Sequence, residues 1–485
     1  MSKSSIDRPN LFLIAAAKDA KARNKAFGIR LPLLGYPAIS LAMIASLTPD
    51  RFHIRLVDEA HEPVPYGQGC RLALIVGLTH HMPHVYHIAD RLRSEGARVI
   101  VGGFHATALP AEALEHCDAV ILGEAEAVWA EVLDDFTQGR LKKKYVGREA
   151  DLACLPVMRR DLFNKKFYHP GQIIETTRGC AVGCAFCGVQ QFFGKRSRGR
   201  PPEAIRQELM ALFGPRPVQA RWKTWLAGHW HPDIPYFIER RLLYVMDSNF
   251  VSDSRHARAV LEVFKDCDIR WYGHASFNLT RDDAMLDLMA ESGCMGVNIG
   301  FESLSQATID SMHKFPNRTA EYADSIRRLH ERGIGVMGTF IVGFDEDTPA
   351  VFDRIAAFAV ENRLETAFTL ILTPLPDTPL YAQMESQGRI FNRNWEAYDH
   401  GSVTFFPRNM TPAELHWGMR STWKKVYSWR NIWKRIMTKP RVRPFFYLPV
   451  NIGFARWARV IRSKKLWPPP RAEQAHNQGP WDLRA

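Results

Sequence analysis

Two successive alternations of strand-like and helix-like patterns constrain this chain more than any other feature of its sequence. In the first, short apolar runs at Leu11–Ala17, His53–Val57, Leu72–Leu78, Arg98–Val101 and Asp118–Leu122 are interleaved with or followed by helical patterns at Ile39–Leu47, Val85–Ser94 and Ala125–Phe136. Such alternation predicts a parallel sheet with helices on both faces. Ligands of such sheets sit beyond the carboxyl ends of the strands, where Thr79, Gly102, Gly103, Gly123 and Glu124 fall. A second alternation has expected strands at Ile173–Thr176, Leu243–Met246, Ile269–His274, Gly296–Gly300, Gly335–Val342 and Phe368–Leu372, separated by helical patterns such as Asp282–Ser292 and Tyr322–Arg332. Six such units imply a partial or full α/β barrel with its site at the C-terminal strand ends. Thr137–Tyr168, with Gly139, Lys142–Lys144 and Pro156, reads as a linker. Ala211–Arg241, with Trp222, Trp225 and Trp230, is long for a βα connection and reads as a lid, a substrate wall or an insertion.

No run approaches ~18 apolar residues, so no transmembrane helix is expected. Leu11–Ala17 runs into Lys18 and reads as a buried strand, not a signal peptide. The eight Cys without a secretory signal imply a reducing cytoplasm, where clustered cysteines bind metal more often than they form disulfides.

The cysteines that cluster are Cys180, Cys184 and Cys187, in Thr177-Arg178-Gly179-Cys180-Ala181-Val182-Gly183-Cys184-Ala185-Phe186-Cys187, directly after the first strand of the second alternation. Three thiolates on one loop can converge on one metal centre. A [4Fe–4S] cube takes four ligands, so three leave one iron open to a substrate. The alternative is a structural zinc site, although closed zinc sites usually show paired C-x-x-C knuckles and only one such pair is present. Cys70, Cys117, Cys154, Cys267 and Cys294 are scattered and read as small buried hydrophobes.

C-x-x-x-C-x-x-C after the first strand of an α/β barrel resembles the radical S-adenosylmethionine (SAM) superfamily, and the wider pattern resembles its members with an N-terminal cobalamin (B12)-binding domain. The resemblance runs through Gly35-Tyr36-Pro37, Val101-Gly102-Gly103-Phe104-His105, Leu122-Gly123-Glu124-Ala125-Glu126, the cysteine loop, Arg196-Ser197-Arg198, Asp247-Ser248-Asn249, Gly300-Phe301-Glu302-Ser303, Phe340-Ile341-Val342-Gly343-Phe344-Asp345 and Thr373-Pro374-Leu375-Pro376-Asp377-Thr378. It implies a Rossmann-like cobalamin-binding-type domain over 1–145, a linker over 146–168, a radical SAM barrel over 169–390 and a basic, mostly helical extension over 391–485. It also implies that an open iron chelates SAM and that reductive cleavage yields a 5′-deoxyadenosyl radical. Cys180, Cys184 and Cys187 would be the cluster ligands. Phe186, Asp247, Ser248, Asn249, Glu302, Ser303, Ile341 and Gly343 would contact SAM. Thr79, Gly102, Gly103, His105, Gly123 and Glu124 are the candidate cobalamin contacts. Many cobalamin domains carry an Asp-x-His-x-x-Gly loop; the corresponding Lys18–Gly28 contains no His, so cobalamin is expected without that ligand. His80, His81, His84 and His87 read as solvated or pocket-lining. Tyr272, His274 and Tyr381 are candidates to face the barrel mouth.

The net charge of +13 is local: fifteen Lys/Arg and no Asp or Glu lie between Arg420 and Arg471, leaving the rest of the chain near neutral. Trp423, Trp429, Trp433, Trp457 and Trp467 are interspersed among these cations, with Trp429, Trp433 and Ile436 expected on one helical face. Basic amphipathic segments with Trp suit an anionic membrane surface; a cap packed on the barrel is the alternative. Interleaved bases and aromatics can also grip RNA. The N-terminal region, however, lacks the clustered cysteines of radical SAM methylthiotransferases acting on tRNA, so nucleic acid is not the expected partner.

The expected function is cobalamin-dependent methylation of an unactivated carbon in a lipid-like substrate (isoprenoid, fatty-acyl or tetrapyrrole). An electron donor such as flavodoxin or ferredoxin would serve it, in the cytoplasm at the inner face of the membrane. The alternatives are radical C–C bond formation, cyclisation or oxidation, and a non-catalytic cluster or cobalamin sensor.

Overall fold

The structure, a computed structural model, describes residues 8–17, 38–164, 173–215, 233, 236, 239, 241–438 and 442–463. Lys18–Gly28, Gly35-Tyr36-Pro37, Trp222, Trp225, Trp230 and Trp467 lie outside the described residues. The described chain divides into two compact units: residues up to 164 with 191–194, and residues 173–190 with those from 195 onward.

In the first unit, Leu11, Phe12, Leu13 and Ile14 of β1 (Asn10–Ala15) are all buried, as a continuous apolar run in a central parallel strand requires. With β2 (His53–Asp58), β3 (Cys70–Val76), β4 (Arg98–Gly102), β5 (Ala119–Gly123) and β6 (Lys144–Gly147) it forms a six-stranded sheet in the order β2-β1-β3-β4-β5-β6. Every pairing is parallel. The direction of strand addition reverses at β1, so the crevice for a ligand lies beyond the carboxyl ends of β1 and β3.

The stretch 137–168 is more than a linker, because it contributes β6. This strand escapes sequence reading because it is a short edge strand with one buried side chain, Tyr145, beside Val146, which is 65% exposed. Beyond it, Leu152, Met158 and Phe163 are buried, and the Arg159 amide donates to the Ala42 carbonyl (3.2 Å).

In the second unit, β7 (Ile173–Ile174) is followed by a short antiparallel pair, β8 (Thr177–Arg178) with β9 (Arg198–Gly199). Then come β10 (Leu242–Val245), β11 (Arg270–Ala275), β12 (Cys294–Glu302), β13 (Gly335–Val342) and β14 (Thr366–Ile371). Strands β7 and β10 to β14 form one parallel sheet in chain order, the strand sequence of a partial α/β barrel. Helices Ser254–Cys267, Asp283–Glu291, Tyr322–Glu331 and Val351–Glu361 separate the strands.

The C-terminal extension covers the free edge of β14. Trp423, at the end of helix Pro412–Val426, donates its indole N–H to the Thr369 carbonyl (2.8 Å). The Tyr427 hydroxyl accepts from the Ala367 amide and donates to its carbonyl, both at 3.2 Å. These side chains satisfy backbone groups that an exposed edge would present to another strand. The basic tail is therefore partly a cap. Arg435 is buried and donates to the carbonyls of Leu364 (2.6 Å) and Glu365 (3.0 Å).

On helix Trp429–Ile436, Trp429 and Trp433 are 57% and 62% exposed, whereas Ile436 packs inward with Ile432. The three do not share an exposed face, because Ile436 sits a turn on toward the core side. Cys154 is exposed, contrary to its reading as a buried hydrophobe: it ends a polar turn in which its thiol donates to Asp151 Oδ2 (3.3 Å). No helix among the described residues is long and apolar enough to cross a membrane.

Candidate active site

The cysteine loop is the tip of the β8–β9 ribbon, at the mouth end of the second sheet. Gly179 (φ +87°) and Gly183 (φ +79°) take the left-handed conformation, which glycine adopts without a Cβ penalty and which turns the chain just before Cys180 and again between Cys180 and Cys184. Cys180, Cys184 and Cys187 are free and half-buried. The loop is fixed by hydrogen bonds along its length: Cys187 N to Cys184 O (3.1 Å), Gln190 Nε2 to Cys180 O (2.9 Å), Ala185 N to Met312 O (3.1 Å) and Leu380 N to Ala185 O (3.0 Å).

Burial pushes the Cys184 thiol up to about 12; its neighbours Cys187, Glu302 and Cys180 add to the rise and Lys314 opposes it. Burial likewise raises Cys187, with Cys180 and Glu302 adding to the rise and Lys314 opposing it. The three sulfurs thus lie within one another's electrostatic reach. Among the described residues no three His, Cys, Asp or Glu side chains are close enough to share a single ion. A cubane asks for something different, since each thiolate meets a separate iron. Three mutually coupled thiols on one anchored loop fit that demand.

Lys314 is the residue that sequence reading missed. It lies beyond helix Gln306–Ser311, and its side chain, 12% exposed, pairs through the ammonium with Oε1 of the buried Glu302. Burial alone would lower its pKa, but Glu302, Cys184 and Cys187 reverse the direction and hold it charged. The available signal was a lone Lys in the connection after β12, since post-strand connections carry the site residues of α/β barrels. Glu302 ends β12 with φ +60°, and its Oε2 is buried without a hydrogen-bond partner. A Cβ at Gly300 would stand 2.2 Å from Glu302 Oε1, so a glycine there leaves the pair its space.

The other expected SAM contacts divide into engaged and available groups. Asp247 is fully engaged: Oδ1 accepts from the amides of Thr176 (2.7 Å) and Thr177 (3.1 Å), and Oδ2 accepts from the Thr177 hydroxyl (2.9 Å) and from the Thr176 hydroxyl. Asn249 Oδ1 accepts from the Ser276 amide (3.0 Å). Ser248 between them is exposed. Ser303 is buried, its Oγ accepting from Ser305 N (3.1 Å). Ile341 is half-buried, and the Gly343 amide donates to Asp347 Oδ2 (2.9 Å). Phe186 meets Phe344 edge-on at 6.4 Å. Both rings line a cavity of about 160 Å³ with Ala185, Leu372, Met384 and Arg389.

Inside the sheet, His274 Nε2 lies 2.5 Å from the Tyr244 hydroxyl, and burial lowers the His274 pKa to about 4. Tyr272 stacks on Tyr244 (4.9 Å) and contacts Phe446 (5.9 Å). Tyr381 lies on helix Pro379–Ser386, its amide bonded to Thr378 Oγ1 (3.2 Å).

In the first unit, several expected cobalamin contacts gather at the carboxyl ends of β3 to β5. Thr79 opens the turn after β3. Gly102 ends β4, and Gly103 (φ +101°) opens helix Phe104–Ala108. The Thr107 hydroxyl joins the two loops, donating to Gly103 O (2.9 Å) and accepting from the Gly123 amide (3.0 Å). Gly123 (φ +78°) admits no side chain, because a Cβ would lie 2.5 Å from Gly147 O. Gly123 is thus a glycine for its packing on β6, whereas a Cβ at Gly103 would meet only Gly77 O at 3.8 Å, and there the backbone leaves room for a ligand. Glu124 is buried and accepts from Ala150 N (3.2 Å).

His105 has no exposed side-chain surface and faces Glu112 (3.3 Å), so it belongs to the interior rather than the strand-end surface. His84 pairs with Glu59 (2.6 Å).

Residues 174–359 match the Radical SAM superfamily and residues 69–133 match the B12 binding domain. The chain is 30% identical over 435 residues to bacteriochlorophyllide d C-12(1)-methyltransferase of Chlorobaculum tepidum, covering 87% of this chain and 89% of the relative. It is 27% identical over 412 residues to bacteriochlorophyllide d C-8(2)-methyltransferase of the same organism, covering 83% and 88%. Among solved structures, TsrM of Kitasatospora setae, with cobalamin and a [4Fe–4S] cluster bound, superposes with a TM-score of 0.63 at 15% identity, covering 93% of this chain and 99% of that one.

Proposed function

This chain belongs to the radical SAM superfamily, in its branch with a cobalamin-binding domain, and from that premise we propose that it methylates an unactivated carbon of a lipid-like substrate, of the tetrapyrrole class. It is an enzyme of the cobalamin-dependent radical SAM methyltransferase family, and its cofactors are a [4Fe–4S] cluster, SAM and cobalamin. The observation that carries the tetrapyrrole reading is the likeness along 87% of the chain to a bacteriochlorophyllide methyltransferase.

Cys180, Cys184 and Cys187 would hold the cluster. The chemistry these groups supply when bound is reductive cleavage of SAM to a carbon radical, and carriage of a methyl group by the corrinoid. The chain's own residues prepare the site. Lys314 places a fixed positive charge beside the thiols and opposes the effect of burial on them. Glu302 Oε2, buried and unpartnered, is an acceptor for a donor group of SAM. Ser248 is the exposed member of its trio. Phe186 and Phe344 would form the apolar wall of the cavity that reaches the cysteine loop at Ala185. His274 is neutral at pH 7, and its Nε2 holds the Tyr244 hydroxyl within the sheet.

The test is product counting with reconstituted protein, reductant, SAM, hydroxocobalamin and bacteriochlorophyllide. S-adenosylhomocysteine and 5′-deoxyadenosine are expected in equal amounts, with a product one methyl group heavier. 5′-Deoxyadenosine without S-adenosylhomocysteine would favour cyclisation, oxidation or C–C bond formation. Neither product would leave a sensor. Flavodoxin or ferredoxin is proposed as the physiological electron donor in place of the chemical reductant.

We also propose contact with anionic membranes through the exposed face of helix Trp429–Ile436, where Trp429 and Trp433 stand beside the exposed Arg430 and Lys434. The wild type is expected to float with anionic liposomes at low salt, and Trp429→Ala/Trp433→Ala to stay below. A wild type that remains in the bottom fraction would remove this contact.

A further inference from the structure

We infer that Asp247 is a positioning residue that clamps the base of the cysteine ribbon and thereby aims the three thiols, rather than a direct contact to SAM. The inference rests on the cysteine loop holding the cluster. The ribbon leaves the sheet at Thr176–Thr177 and returns at Arg200, so everything between depends on how its base is held. Asp247 lies just beyond β10 and is 3% exposed. An ionised carboxylate offers about four acceptor sites. Here both amides and both hydroxyls of Thr176 and Thr177 occupy them. Thr176 and Thr177 are themselves buried, so water does not compete for these bonds.

The returning strand is tied to the same point. The Arg200 amide donates to Thr176 O (2.9 Å), its guanidinium donates to Glu175 O (3.1 Å), and it pairs with Glu208 at 2.6 Å, both side chains being buried. Arg178 Nε donates to Glu175 Oε2 (2.9 Å). Both legs of the ribbon are thus fixed beside the Thr177–Gly199 pair, and Cys180 follows three residues after Thr177. With its acceptor sites taken, Asp247 can reach a ligand only by releasing the ribbon. Its exposed neighbour Ser248 carries no such constraint.

The test uses the full-length protein, reconstituted anaerobically. Asp247→Asn replaces one acceptor oxygen by an NH₂ group that faces donors. It should bind cobalamin as the wild type does and still take up iron. The SAM-induced change in the EPR spectrum of the reduced cluster should weaken, and 5′-deoxyadenosine formation should fall by about 10²-fold, the scale of an ångström-sized misplacement. Thr176→Val/Thr177→Val removes the two hydroxyl donors without touching Asp247 and should alter the same spectrum in the same direction. An unchanged spectrum in the threonine variant would overturn the clamp, because a direct SAM contact predicts no effect there. A second readout needs no cluster: hydrogen exchange at the Thr176 and Thr177 amides should be faster in Asp247→Asn than in the wild type. Equal rates would also overturn the clamp. A wild type that assembles no cubane would refute the proposed function while leaving the exchange measurement to decide the clamp by itself.

Discussion

Replacing Cys184 with alanine is expected to abolish 5′-deoxyadenosine formation and to strip iron from the reconstituted protein. Cys184 is the middle member of three neighbouring thiols on one loop. Cys70, Cys117, Cys267 and Cys294 are buried, and the Cys154 thiol donates to Asp151. Loss of a hydrogen-bonding partner outside the ligands of a metal site already costs about 10–100-fold. Loss of one of three protein ligands removes the support of a whole iron and should exceed that range. Cys294→Ala is the control: it deletes a buried thiol at the opposite end of β12 from Glu302, so turnover should persist with only a modest loss of stability. Quantifying 5′-deoxyadenosine and bound iron in both variants checks the pair. Full turnover by Cys184→Ala would remove the cluster assignment.

The second large effect is expected at Lys314. Breaking a buried ion pair from one side leaves an uncompensated charge, which costs about 3–5 kcal/mol, equivalent to a loss on the order of 10 °C in melting temperature for a domain of this size. In Lys314→Ala the stranded group is the Glu302 carboxylate, whose other oxygen already lacks a partner. The double variant Lys314→Ala/Glu302→Gln removes the stranded charge and should recover a large part of the loss. The sign on the thiols follows from the same field. Lys314 lowers the pKa of Cys184 and Cys187 against the effect of burial, so its removal must raise both, leaving less thiolate at a given pH. Thermal unfolding and the pH dependence of thiol alkylation in cluster-free protein measure the two consequences separately. A Lys314→Ala protein as stable as the wild type, or thiols that alkylate at unchanged pH, would show that the pair does not hold this part of the site.

Sequence reading succeeded where chemistry depends on neighbours in the chain and fell short where the fold brings distant residues together. The cysteine loop was legible because its three thiols fall within eight residues. The parallel strands were legible because burial on both faces writes a continuous apolar run, as in β1. β6 was missed because an edge strand buries one side chain and exposes the next. Lys314 was missed because its partner Glu302 is twelve residues away and across a helix. The Asp247 position was found but not its partners, since Thr176 and Thr177 lie about seventy residues earlier. In the basic tail, charge counting left a membrane-facing segment and a cap packed on the barrel as alternatives. Packing instead divides it, with Trp423, Tyr427 and Arg435 spent on closing β14 and Trp429 and Trp433 left outside. Helical periodicity alone placed Ile436 with the two exposed tryptophans, because it carries no information on which side meets the core.

Mössbauer spectroscopy of the anaerobically reconstituted full-length protein, recorded with and without SAM, bears most directly on whether three thiols hold a cubane with one iron left free. The expected spectrum is that of a [4Fe–4S] centre in which a single iron changes its parameters when SAM is added. Zinc in place of iron, or a cubane whose four irons ignore SAM, would contradict it.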